Sequence, residues 1–246
     1  MENDSLNQER MKAQALARDV VSVFQPIVEL TSGRIVGVEA LARFRTQRVD
    51  SPHQWFTKAW DIGLGLDLEL AAARAAISKL NRFSSDCYVA INFSVRAIIT
   101  PEFTELIRPV LGRVVVELTE HARVDDYPAL EATLEPLRRD GLKLSIDDVG
   151  AGFSSFELIL RLRPDIVKLD WFLTRGVGGD PARASLTRGL VAFCRTLNAT
   201  LIAEGIENGS EQTALVGLGI NYGQGYHLGL PQPVVETRQQ PNISLN

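Results

Sequence analysis

Short apolar runs alternate with longer amphipathic segments along most of the chain. Runs typical of β-strands occur at about 87–94, 113–119, 142–147, 165–170, 199–204 and 219–225. Segments with helical spacing lie at about 101–110, 126–140, 153–162, 182–197 and 209–217. This order predicts parallel strands with helices packed outside them.

Two further apolar runs precede this alternation. They read VVSVFQPIVEL and GRIVGVEALARF, and they are typical of two strands joined by a turn at 31–33. Residues 54–82 then have a helical pattern that is interrupted near Gly63 and Gly65. Eight strands predict one α/β domain closed as a (β/α)₈ barrel, with a doubly wound open sheet as the alternative. The expected divisions are an N-terminal helix or linker at 1–20, a barrel domain at 21–234 and a C-terminal tail at 235–246.

The composition is that of a soluble globular domain. Of 246 residues, 45% are hydrophobic and 23% charged, and the net charge of −4 argues against a DNA or RNA binder. The two cysteines, Cys87 and Cys194, lie in apolar runs and are expected to be buried thiols in a reducing compartment. We expect no signal peptide and no membrane span, and a cytoplasmic location for this chain or for a longer protein that contains it.

Polar side chains share one face of several predicted strands. In the strand at 142–147, Asp147 shares a face with Ser145, while leucine and isoleucine occupy the other face. In the next strand, Lys168 shares a face with Ile166. We expect the purely apolar faces to contact the helices and the mixed faces to point into the barrel.

A polar residue also stands at the C-terminal end of six predicted strands. These residues are Glu39, Asn92, Glu117, Asp147, Lys168 and Glu204. One such residue is ordinarily a helix cap or a solvated turn, but six at the same barrel face are typical of an active site. Carboxylates so close together repel each other unless cations lie among them, and oxygen ligands without His or Cys favour Mg²⁺ or Mn²⁺ over zinc.

Two of the acidic residues are adjacent, in the stretch LKLSIDDVGAGFSSF at 142–156. The simplest interpretation of Asp147-Asp148 is a turn after a strand. The alternative is that the strand ends there and that Gly150 and Gly152 let the backbone turn, bringing the second carboxylate over the barrel mouth beside the first.

Several ordered blocks between about residues 22 and 232 resemble one known family. They are Gln25-Pro26-Ile27, EALAR at 39–43, INFS at 91–94, ELTE at 117–120, Asp147-Asp148 with Gly150 and Gly152, Asp165, Lys168-Leu169-Asp170, AEGIE at 203–207 and Gln224-Gly225-Tyr226. These blocks resemble those of the EAL-domain family, the bacterial phosphodiesterases of cyclic di-GMP. The resemblance implies a (β/α)₈-like barrel with one antiparallel strand.

The resemblance also implies a reaction and its cofactors. One phosphodiester of cyclic di-GMP would be hydrolysed to give linear 5′-pGpG, with two Mg²⁺ or Mn²⁺ ions clamping a phosphate and sharing the attacking hydroxide. Glu39, Asn92, Glu117 and Asp147 would hold one metal, and Asp147 would bridge to a second that is also held by Asp148.

Further roles carry over from the same family. Lys168 would orient the nucleophile or stabilise phosphoryl charge. Glu204 would act in the proton network or complete the second metal's shell, and Glu207 would anchor the loop after the aspartate pair. The expected substrate contacts come from Gln25, Leu41, Arg43 and Gln224.

The sequence departs from the family pattern after the aspartates, where Val149 replaces an aromatic residue, so the basal rate or its regulation is open. The alternative function is a non-catalytic cyclic di-GMP receptor or a protein-interaction module with an EAL fold. A two-metal barrel acting on glycerophosphodiesters would explain the acidic mouth but not the ordered blocks. The expected partners are cyclic di-GMP, a second copy of the chain in a homodimer, and an upstream sensory or GGDEF domain that this chain does not contain.

Overall fold

The computed structural model describes residues 17–45, 52–118, 124–150 and 154–234. Within them, eight strands form a closed barrel in chain order. The strands are β1 Val20–Glu29, β2 Ile35–Phe44, β3 Tyr88–Asn92, β4 Val114–Leu118, β5 Lys143–Val149, β6 Ile166–Leu169, β7 Thr200–Ala203 and β8 Tyr222–Gly223. This closure confirms the predicted barrel and excludes the open sheet.

One strand runs against the rest of the barrel. β1 is antiparallel to both β2 and β8, whereas every other neighbouring pair is parallel. The single antiparallel strand that the family resemblance implied is therefore present. β1 and β2 form a hairpin in which Gln25 lies opposite Glu39.

Helices follow the strands and pack outside them. They are α1 Pro52–Asp61, α2 Gly65–Ile77, α3 Val95–Ile98, α4 Pro101–Ile107, α5 Tyr127–Arg139, α6 Ser154–Leu162, α7 Trp171–Thr174, α8 Pro181–Thr196 and α9 Gly209–Gly217. The interruption expected near Gly63 separates α1 from α2, and Gly63 has a φ of 76°, in the left-handed region that glycine tolerates. Three short 3₁₀ segments, at 80–82, 108–110 and 177–179, complete the connections.

The barrel wall separates two apolar layers. The larger lies between strands and helices and contains Val89, Ile91, Leu144 and Val167. The smaller lies inside the barrel and consists of Ile27, Ala90, Val115, Ile166 and Ile202. The parity predicted for these strands is confirmed, because alternate residues face opposite sides of the wall.

Two predicted elements differ in extent. The last strand was expected at 219–225, but only Tyr222–Gly223 pairs with its neighbours. The strand expected to end at Asp147 continues to Val149. Residues 1–16 and 235–246, which include most of the predicted N-terminal helix and all of the predicted tail, lie outside the described residues.

Within the described part of the chain, no helix is both long enough and apolar enough to cross a bilayer.

Candidate metal centre at the barrel mouth

Lys168 lies at the centre of a group of carboxylates contributed by four different strands. Glu117, Asp147 and Glu204 lie near the C-terminal ends of theirs, whereas Glu39, predicted at a strand end, lies midway along β2, which continues to Phe44. Lys168 Nζ is 2.8 Å from Glu204 Oε1, 3.2 Å from Asp147 Oδ1, 3.3 Å from Glu39 Oε2 and 3.4 Å from Glu117 Oε1. The Lys168 side chain is completely buried. The strand parity therefore brings together the charged residues that the sequence predicted at this face.

Three amide side chains, from β1, β3 and the segment after β8, form hydrogen bonds to Glu39 or to each other. Asn92 Nδ2 donates to Glu39 Oε1 at 2.9 Å. Gln224 Nε2 donates to Glu39 Oε2 at 2.7 Å and to Gln25 Oε1 at 3.0 Å. Gln25 Nε2 in turn donates to the carbonyl of Gly229 at 3.1 Å. Both oxygens of Glu39 are thus fixed by hydrogen bonds.

The charges of this group do not balance. Four carboxylates surround one ammonium, and a buried negative charge without a partner is costly. Burial raises the pKa of Glu117 to about 8, and the neighbouring Glu39 and Asp147 carboxylates add to the rise while Lys168 opposes it. Burial likewise raises the pKa of Glu204 well above its ordinary value. Burial opposes the charged form of Lys168, but the four carboxylates hold its pKa well above the ordinary value.

The donor atoms match a hard divalent cation. Two triads of carboxylates each place one oxygen per residue within 4.8 Å of the others: Glu39, Glu117 and Asp147 in the first, and Asp147, Asp148 and Glu204 in the second. Within the described residues, Glu117 Oε2 is buried without a hydrogen-bond partner. Mg²⁺ and Mn²⁺ prefer oxygen ligands, and both triads supply only oxygens, one of which is buried without a hydrogen-bond partner. The residues present therefore fit such ions, and Asp147 belongs to both triads.

The two adjacent aspartates reach one site through an irregularity in β5. The pairing of β5 with β6 shifts between Ile146 and Val149, and Asp148 has a φ of 56°. Such a bulge changes the alternation of sides, so that Val149 is buried in the outer core while Asp148 joins Asp147 in a triad. The prediction that the strand ends before Asp148 is wrong. The turn expected at Gly150 is present, with a φ of 114°, whereas Gly152 lies outside the described residues. The strand continues, and Asp148 itself has the left-handed backbone.

The predicted substrate residues on β2 lie next to this group. Leu41 and Arg43 follow Glu39 at intervals of two residues, on the same face of the strand. Both are half-buried, and Arg43 Nη1 donates to the carbonyl of Ala42 at 2.9 Å. Their predicted contacts with substrate stay predictions.

Glu207 does not join the group around Lys168. It is exposed, and its backbone N–H donates to Glu211 Oε2 at 2.9 Å. The loop after the aspartate pair, which Glu207 was predicted to anchor, continues into residues 151–153, outside the described residues. Its role stays a prediction.

Two buried carboxylates near the mouth were missed by the sequence reasoning. Glu211 Oε1 accepts from Gly176 N at 3.1 Å, and its other oxygen accepts from Glu207 N. Glu69 accepts from Trp60 Nε1 at 2.6 Å and from Ser94 N at 2.9 Å. A signal was present for Glu69, because it shares the i, i+4, i+7 spacing of a buried alanine face on α2.

Comparisons with known proteins point to one family. The EAL domain family model matches residues 8–231. The bifunctional diguanylate cyclase/cyclic di-GMP phosphodiesterase MucR of Pseudomonas aeruginosa is 32% identical over 229 residues, which are 88% of this chain and 33% of that protein. The chain spans about a third of the length of this relative and of several other curated relatives that it matches.

Solved structures agree with this match. The PaMucR phosphodiesterase in complex with c-di-GMP has a TM-score of 0.76 at 30% identity, covering 94% of this chain and 98% of that chain. Klebsiella pneumoniae BlrP1, solved with manganese and cy-diGMP, has a TM-score of 0.73 at 29% identity, covering 87% of this chain and 56% of that chain. The resemblance drawn from the sequence blocks is confirmed.

Proposed function

Because the chain belongs to the EAL domain family, we propose that it hydrolyses one phosphodiester of cyclic di-GMP to linear 5′-pGpG with Mg²⁺ or Mn²⁺ at the barrel mouth. The observation that carries this proposal is the pair of overlapping carboxylate triads around one buried lysine. The c-di-GMP complex of the related MucR phosphodiesterase supports the choice of substrate.

The proposed ligands divide between two ions. Glu39, Asn92, Glu117 and Asp147 would hold the first ion, and Asp147 and Asp148 the second, with Glu204 close enough to complete its shell. Two such ions supply Lewis acidity at the phosphate and an activated water. The neighbours of Glu39 fix its orientation, since Asn92 and Gln224 each donate to one of its oxygens.

Lys168 contributes a fixed positive charge. Its ammonium contacts the four carboxylates from within the barrel and stays protonated, because those carboxylates raise its pKa. A charge held in a buried site without reorganisation stabilises negative charge that develops on a phosphoryl oxygen. Its 2.8 Å contact with Glu204 also gives that carboxylate a fixed position for work in the proton network.

The remaining residues would orient the substrate. Arg43, four residues beyond Glu39 on β2, would contact a phosphate or a guanine, and Leu41, between Glu39 and Arg43 in the strand, would pack against the substrate. Gln25 and Gln224 are joined by a 3.0 Å hydrogen bond, and Gln224 Oε1, which has no partner among the described residues, would accept from the substrate. Glu207 would anchor the loop after the aspartates.

We also propose a setting for this activity. The domain would work in the bacterial cytoplasm, as a homodimer and under the control of an upstream sensory or GGDEF domain. Size-exclusion chromatography with light scattering tests the homodimer, and a monomer at micromolar concentration would contradict it.

The activity is tested by incubating the purified chain with cyclic di-GMP and Mn²⁺ or Mg²⁺, then adding EDTA and resolving nucleotides by chromatography. We expect metal-dependent release of 5′-pGpG and no turnover by Glu39→Ala. The matched control is Glu105→Ala, which removes an exposed carboxylate from α4. If the chain binds cyclic di-GMP but forms no product under any metal condition, the enzyme hypothesis is rejected in favour of the non-catalytic receptor.

A further inference from the structure

Glu69 is a buried carboxylate outside the cluster around Lys168. It lies on α2, is only 7% exposed and accepts two hydrogen bonds, one on each oxygen. Its donors come from different elements: the indole of Trp60 at the end of α1 and the backbone N–H of Ser94 after β3. A buried carboxylate is costly unless it is well paired, and these two bonds use both of its oxygens.

The Trp60 side of this contact is closely fitted. The indole lies against Gly65, where an added Cβ would overlap the Trp60 ring. Gly65 is the first residue of α2. Because it has no side chain, the indole can pass over it and donate to Glu69, which lies one turn later in the helix. The direction of the Trp60 N–H is therefore determined by local packing.

The Ser94 side of the contact leads to the metal site. Ser94 caps α3, its Oγ accepting from Ala97 N at 3.2 Å. It stands two residues after Asn92, whose amide nitrogen donates to Glu39. With its nitrogen so engaged, the amide oxygen of Asn92 is the atom available to a cation.

We propose that Glu69 is a positioning residue for the metal site, holding the exit of β3 so that Asn92 presents its amide oxygen beside Glu39. This inference rests on the proposed function, in which Asn92 is a metal ligand. Outer partners that orient ligands typically change metal affinity or activity by about 10–100-fold when they are replaced. Glu69 acts one step further out, through the backbone at Ser94.

The two-donor geometry allows a rescue experiment. Glu69→Gln keeps one acceptor oxygen but turns an N–H₂ group toward one of the two donors. Trp60→Phe removes the indole donor, so the double variant Trp60→Phe/Glu69→Gln can again accept from Ser94 without a clash. The matched control is Asp67→Asn, which removes a carboxylate from the exposed side of the same helix.

The measurement is the affinity for Mn²⁺ alone by titration calorimetry, with kcat for cyclic di-GMP at saturating Mn²⁺. We expect Glu69→Gln to bind Mn²⁺ about tenfold more weakly. The double variant should return to within about threefold of Trp60→Phe, and Asp67→Asn should match the parent. If Glu69→Gln fails to fold, Glu69→Met carries the same test, because it removes the oxygen that accepts from Ser94 N and fills the same space with an apolar side chain.

Unchanged Mn²⁺ affinity in Glu69→Gln, with or without a lower unfolding temperature, overturns the positioning role. Failure of the proposed function has a different signature. Weaker Mn²⁺ binding in Glu69→Gln, rescued in the double variant, with no product from cyclic di-GMP in any protein, would keep the positioning role and reject the enzyme. A parent that binds no Mn²⁺ would reject both.

Discussion

Two layers of side chains inside the barrel differ in chemistry although they come from the same strands. The floor layer is Ala90, Val115, Ser145, Ile166 and Ile202, and the mouth layer is Asn92, Glu117, Asp147, Lys168 and Glu204. Each mouth residue follows its floor residue by two positions, which is one step of the pleat. The floor is almost wholly apolar and buried, whereas the mouth holds four charged groups and one amide.

The difference shows that one strand can contribute to stability through its floor residue and to function through its mouth residue. Burial of the floor contributes hydrophobic free energy. The mouth carries excess negative charge, and the raised pKa of Glu117 records the cost of ionising it there. We therefore expect floor substitutions to change stability and mouth substitutions to change metal binding and turnover.

The largest expected effect follows from removing the one cation of the mouth layer. Lys168→Met should lower turnover of cyclic di-GMP by at least about 100-fold, because a preorganised charge at the phosphate is lost. It should also strengthen Mn²⁺ binding, since the ammonium no longer competes for the same carboxylates. Calorimetry and single-turnover assays measure the two effects. The control is Lys143→Met, which removes an exposed lysine at the start of β5, away from Asp147. Weaker Mn²⁺ binding by Lys168→Met would contradict the expectation.

The next effect is a dependence on pH. The pKa of Glu117 rises from 4.5 when unfolded to about 8 when folded, so the folded state binds this proton more tightly. The stability from this group is complete below pH 4.5 and is lost as pH rises through 8. Melting of the EDTA-treated protein should therefore occur at lower temperature as pH rises from 5 to 9, while Mn²⁺ affinity should rise by about tenfold per pH unit below 8.

The control for this dependence is Glu117→Gln, in which the melting temperature should fall less steeply with pH, the remaining fall coming from Glu204, whose pKa burial also raises. A metal-free protein that melts at higher temperature from pH 5 to pH 9 would count against the raised pKa.

A smaller effect is expected at the bulge. Asp148→Asn keeps a residue that tolerates the left-handed backbone but removes one charge from the second triad. Mn²⁺ affinity should fall by roughly fivefold, which corresponds to about 1 kcal/mol for one charge interaction in a solvated site. Asp147→Asn should cost more, because Asp147 belongs to both triads. Equal losses in the two variants would show that Asp147 is not shared.

The smallest effect belongs to the floor layer. Ile202→Val removes one buried methyl group and should lower the free energy of unfolding by about 0.5–1.5 kcal/mol. Urea denaturation measures this change, and kcat should stay within about twofold of the parent. A large fall in kcat with unchanged stability would remove the distinction between the layers.

The sequence predicted most of this site because strand parity is a local rule. The alternation of Ile166 with Lys168, and of Ile202 with Glu204, is visible in the residues themselves, and the barrel then places their side chains on one inner face. The helix interruption near Gly63 and the ordered family blocks were visible in the same way.

What the sequence did not show depends on long-range pairing. The bulge at Asp148 is a shift in register against β6, and nothing within β5 alone indicates where that shift falls. Glu69 accepts hydrogen bonds from Trp60 and Ser94, which are 9 and 25 positions away, so its partners could not be identified from its own helix. Glu207 matched a family block, yet the carboxylate that binds backbone there is that of Glu211.

The short β8 has a kinetic consequence for the assembled barrel. It pairs over two residues with β1 on one side and with β7 on the other, whereas β1 and β2 pair along nearly their whole length. A hairpin of close sequence neighbours forms within about 1–10 μs, so we expect Gln25 and Glu39 to meet early and the barrel to close last at β8. The same seam should open first in the native state, with faster amide exchange at Tyr222 and Gly223 than along β4. Each opening would release Gln224 from Glu39, so the local opening of two backbone pairs would change the surroundings of a proposed metal ligand.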